Sequence, residues 1–468
     1  MIDASGLNRK IPRDVRGLCQ RLAEAGHRAW VVGGCVRDEL LAEPGAAGSG
    51  RATPLERHDW DIATDARPEQ VTRLFRRVIP TGIEHGTVTV MLREVGYEVT
   101  TLRGETTYSD GRRPDAVYFV DDIVADLARR DFTINAIAYD PLADQLIDPF
   151  GGIRDLEARV LRAVGDPAAR FAEDGLRVLR GARFRAVLEV EFEPSTLAAI
   201  RPSLASYRKV SPERIREEWL KTMRAARPSR AFEVMREHGM LEITAPELME
   251  TVGCEQNRFH AYDVWGHTMA CLDECPRDPV LRVGGLLHDV GKPRSRGQSE
   301  RTGDYTFYEH ERIGAEMAEP LLTRLRFSND ERARIVALVR HHLIVYDESW
   351  SDAAVRRWVR RVTPELLDDL FLLNRADVIA KGTGADDDLA RSRELHERAL
   401  GLMAAGAALT VRDLALDGRV LMSELGLAPG PVLGELLRAL LEAVTEEPEL
   451  NTRERLVERA RALISESA

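Results

Sequence analysis

The stretch Arg57-His58-Asp59-Trp60-Asp61-Ile62-Ala63-Thr64-Asp65 decides the reading of this chain, together with Val31-Val32-Gly33-Gly34-Cys35-Val36-Arg37-Asp38 before it. Read as a strand, successive side chains alternate between faces, so Asp59 and Asp61 project together while Trp60 and Ile62 turn into a core. Two carboxylates on one edge repel unless a cation lies between them, and hard oxygen ligands of this kind suit Mg²⁺ carrying a nucleoside triphosphate. The pair points to phosphoryl or nucleotidyl transfer. Upstream, Ala29 to Val32 reads as a short strand. Gly33-Gly34 then turns the chain so that backbone N–H groups can meet phosphate oxygens where a helix opens near Cys35, with Arg37 one turn into it.

Working outward, Pro68 leads a helix to about Arg77, and His85–Leu92 and Tyr97–Leu102 are alternating β-branched runs joined around Gly96. A small mixed sheet with helices against it follows. Alternation from Tyr97 puts Glu98 and Thr100 on one face, which makes Glu98 either a third acidic metal ligand or a solvent-facing strand residue. Ala42-Glu43-Pro44-Gly45-Ala46-Ala47-Gly48-Ser49-Gly50 has the composition of a flexible loop. From about Leu156 the apolar spacing becomes helical and stays so, punctuated by Pro and Gly.

With 468 residues the chain exceeds one compact core, and 44% apolar content is ample for folding. No run is long enough to span a bilayer and the start has no signal-peptide pattern, so a cytoplasmic location is expected. The five cysteines lack a CxxC pair, which argues against a disulfide framework and against a thiolate zinc site. A net charge of −11 gives no global attraction for nucleic acid. An RNA partner would need a local basic surface, for which Arg112-Arg113, Arg129-Arg130, Arg356-Arg357 and Arg360-Arg361 are candidates.

Four further blocks stand in order behind the first two: Asp110-Gly111-Arg112-Arg113-Pro114-Asp115, Arg129-Arg130-Asp131-Phe132-Thr133-Ile134-Asn135-Ala136, Asp148-Pro149-Phe150-Gly151-Gly152, and Phe171-Ala172-Glu173-Asp174-Gly175-Leu176-Arg177-Val178-Leu179-Arg180. With these six the chain resembles the bacterial tRNA nucleotidyltransferase and poly(A) polymerase family of the DNA polymerase beta-like nucleotidyltransferases. The resemblance implies an α+β nucleotidyltransferase head with a small mixed sheet, followed by an all-α body. It implies template-independent addition or repair of the 3′-terminal CCA of tRNA from CTP and ATP, with Asp59 and Asp61 bridging two Mg²⁺ ions. A-adding, CC-adding and poly(A)-adding enzymes are the nearest alternatives. The family has a mobile loop at Asp110–Asp115 for switching from CTP to ATP.

Asp174, Arg177, Arg180 and Arg183 recur every third residue, so on one helix they form a drifting polar stripe beside buried Leu176, Val178 and Leu179. Such a stripe is ordinarily a ladder of surface ion pairs. An Asp acceptor beside an Arg donor can also imitate the edge of a paired base. The resemblance gives that role to Asp174 and Arg177, with Arg180 and Arg183 supporting base or triphosphate. Arg129-Arg130-Asp131 precedes a strand-like Phe132–Tyr139, which sets Arg129, Arg130, Asp131 and Asn135 near phosphates and sugar. Gly33, Gly34 and Arg37 complete the candidate nucleotide-binding set.

A second set, His267, His288-Asp289, His310, His341-His342 and Asp377, lies in the helical region. Imidazoles with carboxylates suit a divalent transition metal. Leu286-Leu287-His288-Asp289-Val290-Gly291-Lys292-Pro293 resembles the HD metal-dependent phosphohydrolases, where His267 and Asp377 complete a site and His310 with His341 or His342 would hold a second ion. An HD phosphohydrolase with a vestigial head is therefore an alternative of another class. The expected domains are a head over 1–150, a helical neck for base recognition and RNA binding over 151–250, an HD domain over 251–385 and an RNA-binding helical tail over 386–468. The oligomeric state is left open by the sequence.

Overall fold

Seven short strands form the sheet that carries the first motif: β1 Ala29–Val32, β2 Asp61–Thr64, β3 Val78–Gly82, β4 Thr87–Leu92, β5 Val95–Thr101, then, past a separate ribbon of β6 Arg103–Glu105 and β7 Val117–Phe119, β8 Ala138–Asp140 and β9 Gln145–Ile147. This computed structural model describes residues 6–42, 60–83, 86–105, 117–258, 260–382 and 385–466. Asp59, His85, most of the 42–50 loop and the whole Asp110–Asp115 loop lie outside them. The strand order is β3-β4-β5-β2-β1-β8-β9, with β2 parallel to β5 and the other neighbours antiparallel.

All of β1 is buried, which is why its sequence is a continuous apolar run rather than an alternating one. One face of the sheet packs Trp30, Val32, Ala63 and Ala138 against Ile123 and Leu127 of the helix Ile123–Ala128. Trp60, just before β2, and Ile62 are buried as expected, Asp61 between them is half-buried, and Ala63 and Thr64 are buried as well.

Three local expectations need correction. The β4–β5 hairpin turns at Arg93-Glu94, both at positive φ (46° and 66°), because pairing Leu92 with Val95 leaves a two-residue turn of the type that matches strand twist. Gly96 lies inside β5, where a Cβ would stand 2.9 Å from Thr89 Cγ2. Phe132–Tyr139 is no continuous strand: Thr133–Asn135 is one turn of 3₁₀ helix, and pairing begins at Ala138. Asp174 does not share a helix with Arg177, since Pro167–Glu173 and Leu176–Val187 are separate helices with Asp174-Gly175 between them. A Cβ on Gly175 would meet Ser206 O at 2.3 Å, so the break is fixed by close backbone contact.

The chain divides into two compact units, Met1–Met249 and Glu250–Ala468. The second is mainly helical, and two apolar cores stand out among its described residues. One is built on Val264–Glu274, Pro279–Leu287, Asp352–Val362 and Leu367–Ala380, and the other on Gly418–Leu425, Pro431–Glu446 and Arg453–Glu466. Arg356 and Arg360, expected as a basic RNA surface, instead bind the last turn of Pro431–Glu446, Arg356 through Thr445 O (2.8 Å) and Arg360 through Glu442 (2.9 Å) and Thr445 Oγ1 (2.8 Å). No helix among the described residues is long and apolar enough to cross a membrane.

Candidate active sites

In the first unit the Gly33-Gly34 turn links β1 to the helix Gly34–Leu41, as its sequence suggests. Gly33 takes φ +81°, and a Cβ there would lie 2.7 Å from Arg130 Nη1 and 3.8 Å from Asp61 Oδ2. A glycine thus lets the Arg130 guanidinium cross the backbone beside the carboxylate. The Gly33 N–H is spent on Ile137 O (3.2 Å), while the helix Gly34–Leu41 starts without a side-chain cap. Cys35, next to Asp61, stays a neutral thiol, pushed up to about 12 by burial and then by the Asp61 charge. Glu98 is exposed on β5 and cross-strand from Thr89.

Behind this edge runs a connected polar chain. Arg37 donates to Asn135 Oδ1 (2.5 Å) and Asp38; Asn135 Nδ2 donates to Asp131 (2.9 Å); Arg180 donates to Asp131 (2.7 Å); Arg183 donates to Glu218 (2.6 Å). Phe184 lies beneath three of these guanidiniums, Arg183 at 4.0 Å, Arg37 at 5.2 Å and Arg180 at 5.4 Å from its ring centroid. Asp131 and Asn135 therefore act as internal connectors between the 3₁₀ turn and Leu176–Val187. Burial works against the Asp131 charge, but Arg180 and Asn135 hold its carboxyl far below the usual range. This contribution to stability is complete above the unfolded carboxylate pKa near 4 and is lost only in strong acid. Arg180→Ala strands that charge, and urea unfolding should show a loss on the order of 2–3 kcal/mol.

Asp174 and Arg177 are each partly engaged. Asp174 Oδ1 accepts from Leu176 N (3.0 Å) and Arg214 Nη1 (3.1 Å), and Oδ2 accepts from Arg214 Nη2 (2.7 Å). Arg177 donates from Nη1 to Arg170 O (2.8 Å) and Glu173 (2.5 Å) and from Nη2 to Arg129 O (3.0 Å). Among the described residues this leaves one acceptor position on Asp174 and two N–H donors on Arg177. Arg129 is turned away, donating to Asp126 Oδ1 through Nε (3.0 Å) and Nη2 (2.8 Å).

Sequence reasoning did not single out Arg214, Glu218 or Asp126. Glu173 stands four residues before Arg177 and was legible as an i,i+4 pair. Arg214 and Glu218 are 40 and 35 positions from their partners, and spacing alone carries no such signal.

In the second unit, His267, His288 and Asp377 converge, as do Asp289, His310 and His342. Asp289 joins the two groups. Its Oδ2 is 3.1 Å from His288 Nε2 and 3.4 Å from His267 Nε2, and its Oδ1 is 3.5 Å from His310 Nε2 and 3.7 Å from His342 Nε2. His341 belongs to neither group, because the helix Asn329–His341 points only its neighbour inward. Lys292, three residues beyond Asp289, places Nζ 2.7 Å from Asp289 Oδ2.

The tautomers test whether a cation fits. His288 Nδ1 donates to Gly285 O (2.7 Å), His310 Nδ1 to Phe307 O (2.7 Å) and His342 Nδ1 to Val339 O (2.8 Å), so each ring turns its Nε2 inward, where it can ligate a cation once that nitrogen carries no proton. His310 Nε2 and His342 Nε2 face each other at 3.2 Å. Burial holds His310 down at about 4, so its ring stays neutral and its inward Nε2 lone pair can meet a cation. Burial also opposes the charge on His288, but Asp289 and Asp377 carry it up to about 9.

Residues 29–162 match the family model of the poly A polymerase head domain, residues 189–251 the "Probable RNA and SrmB- binding site of polymerase A", and residues 260–382 the HD domain. The CCA-adding enzyme of Limosilactobacillus reuteri is 32% identical over 455 residues, 96% of either chain. This chain belongs to the CCA-adding enzyme family. The CCA-adding enzyme of Levilactobacillus brevis is 34% identical over 90% of either chain. The crystal structure of the Bacillus stearothermophilus CCA-adding enzyme in complex with CTP superposes with a TM-score of 0.70 at 27% identity, covering 97% of this chain and 98% of that one. The architecture expected from sequence, a mixed-sheet nucleotidyltransferase head followed by a mostly helical body with an HD domain, is the one found, and the chain is an enzyme of this family.

Proposed function

We propose that this CCA-adding enzyme family member builds or repairs the whole 3′-terminal CCA of tRNA, taking CTP and ATP without a nucleic-acid template. The carrying observation is the spare hydrogen-bonding capacity at Asp174 and Arg177. One acceptor beside two donors complements cytosine, which offers an amine next to two ring acceptors, and adenine, which offers an amine next to one. Uracil and guanine put a carbonyl where the amine would be, against the carboxylate. The relative crystallised with CTP supports this reading.

In the proposed reaction the tRNA 3′-hydroxyl attacks the α-phosphorus of the bound nucleotide and pyrophosphate leaves. Mg²⁺ held by Asp59 and Asp61 in a two-ion arrangement would supply a lowered pKa for the attacking hydroxyl and charge neutralisation on the leaving phosphates. Arg130, beside Asp61 over Gly33, orients the triphosphate, and Phe184 with its three arginines keeps Arg37 in place behind it. Glu98 serves as an outlying acidic group at most through water, since its side chain is exposed. The head over 1–150, the neck over 151–250, the HD domain over 251–385 and the RNA-binding tail over 386–468 are the working parts of this reading. The test is incubation with CTP, ATP and labelled tRNAs lacking one, two or three terminal nucleotides. A-only, CC-only and poly(A) products identify the alternatives.

A second reading rests on the four imidazole Nε2 atoms that converge on Asp289. Two divalent transition-metal ions, one on His267, His288 and Asp377 and one on His310 and His342, with Asp289 between them, would activate water for hydrolysis of phosphate esters. His288 must lose its proton to act as a ligand. Mn²⁺ affinity should therefore fall by up to about tenfold for each pH unit below 9, as calorimetric titrations at pH 6, 7 and 8 would show.

A further inference from the structure

Arg214 projects from the helix Pro212–Thr222 and grips both oxygens of Asp174, at 3.1 and 2.7 Å, as a bidentate fork. Both side chains are largely shielded, 22% and 16% exposed. Among the described residues Arg214 makes no other hydrogen bond, so its guanidinium is committed to this one carboxylate. With Leu176 N on Oδ1, the fork fixes the carboxylate plane and fills three of its four acceptor positions.

We infer that Arg214 is a specificity-determining positioning residue: it holds Asp174 so that a single lone pair on Oδ2 meets the base, and the base must present an amine there. The inference rests on the base-reading role of Asp174 proposed above. Without the fork, the carboxylate can rotate away, and Arg177 alone is left to bind the base. Arg177 donates equally well to the O2 carbonyl shared by cytosine and uracil, so the discrimination at the amine disappears and only N3, an acceptor in cytosine and a donor in uracil, still separates them. Lysine supplies the charge but a single point of contact, so the plane is held less firmly. A purely structural tie between the two helices would lower stability and leave base choice alone.

The test uses the full-length chain and a tRNA lacking CCA, with kcat/KM measured separately for CTP and UTP. In Arg214→Met the CTP-over-UTP preference should fall roughly tenfold or more, with Arg214→Lys between it and wild type. In an Asp174→Ala background, Arg214→Met should change the preference no further, because its effect passes through the missing carboxylate. Wild-type preference in Arg214→Met overturns the inference, as does an undiminished loss in the Asp174→Ala background. If Arg214→Met does not fold, Arg214→Lys decides the matter on the same criterion. Failure of the wild type to add cytidine at all would instead remove the base-reading proposal on which this one stands.

Discussion

Asp61→Asn should reduce nucleotide incorporation at least about a thousandfold while leaving tRNA binding within a few-fold of wild type. The substitution keeps the shape and removes one negative charge from the end of β2. In the proposed reaction that charge is needed where metal-bound phosphates and the attacking oxygen would meet, and it would contribute little to holding the body of a tRNA. The fold should survive, because Asp61 sits at the strand's start while the core contact of that strand is made by Ile62 and Ala63. Single-turnover incorporation beside a filter-binding titration separates the two effects. Loss of binding in parallel with incorporation would mean that Asp61 is structural.

The other large effect is expected at the second unit. Asp289→Ala should remove high-affinity Mn²⁺ binding from both groups, because among the described residues this is the one carboxylate with an oxygen toward each. The wild type should gain several degrees in melting temperature with saturating Mn²⁺, since an ion bound at a hundred times its dissociation constant stabilises by about 2.7 kcal/mol. The variant should gain none. His341→Ala, which touches neither group, should behave as wild type. A variant that still binds two ions would place the metal elsewhere.

The sequence carried these sites unequally, for physical reasons. Trp60 and Ile62 were legible as core because apolar residues two apart in an extended chain share a face, whereas the burial of Ala63 and Thr64 was not, since a strand covered on both faces shows no alternation. Gly33 was legible because positive φ and close approach both call for glycine. The helix break at Asp174-Gly175 was not, since it depends on Gly175 meeting the backbone of Ser206, a contact 31 positions away that no local pattern encodes. The same holds for Arg214 on Asp174. The HD ligands were recognisable as types, but choosing His342 over His341 required the direction in which one helix end faces. Arg356 and Arg360 misled for the opposite reason: exposed-looking arginines were spent on helix ends and a carboxylate within their own unit.

The most direct test of the account is a tRNA lacking its last three nucleotides, incubated with all four nucleoside triphosphates and Mg²⁺, its product sequenced. The account predicts C, C and A added in that order, then a stop, with nothing added by Asp61→Asn. Adenosine tails of open length, indiscriminate addition, or unimpaired addition by Asp61→Asn would contradict it.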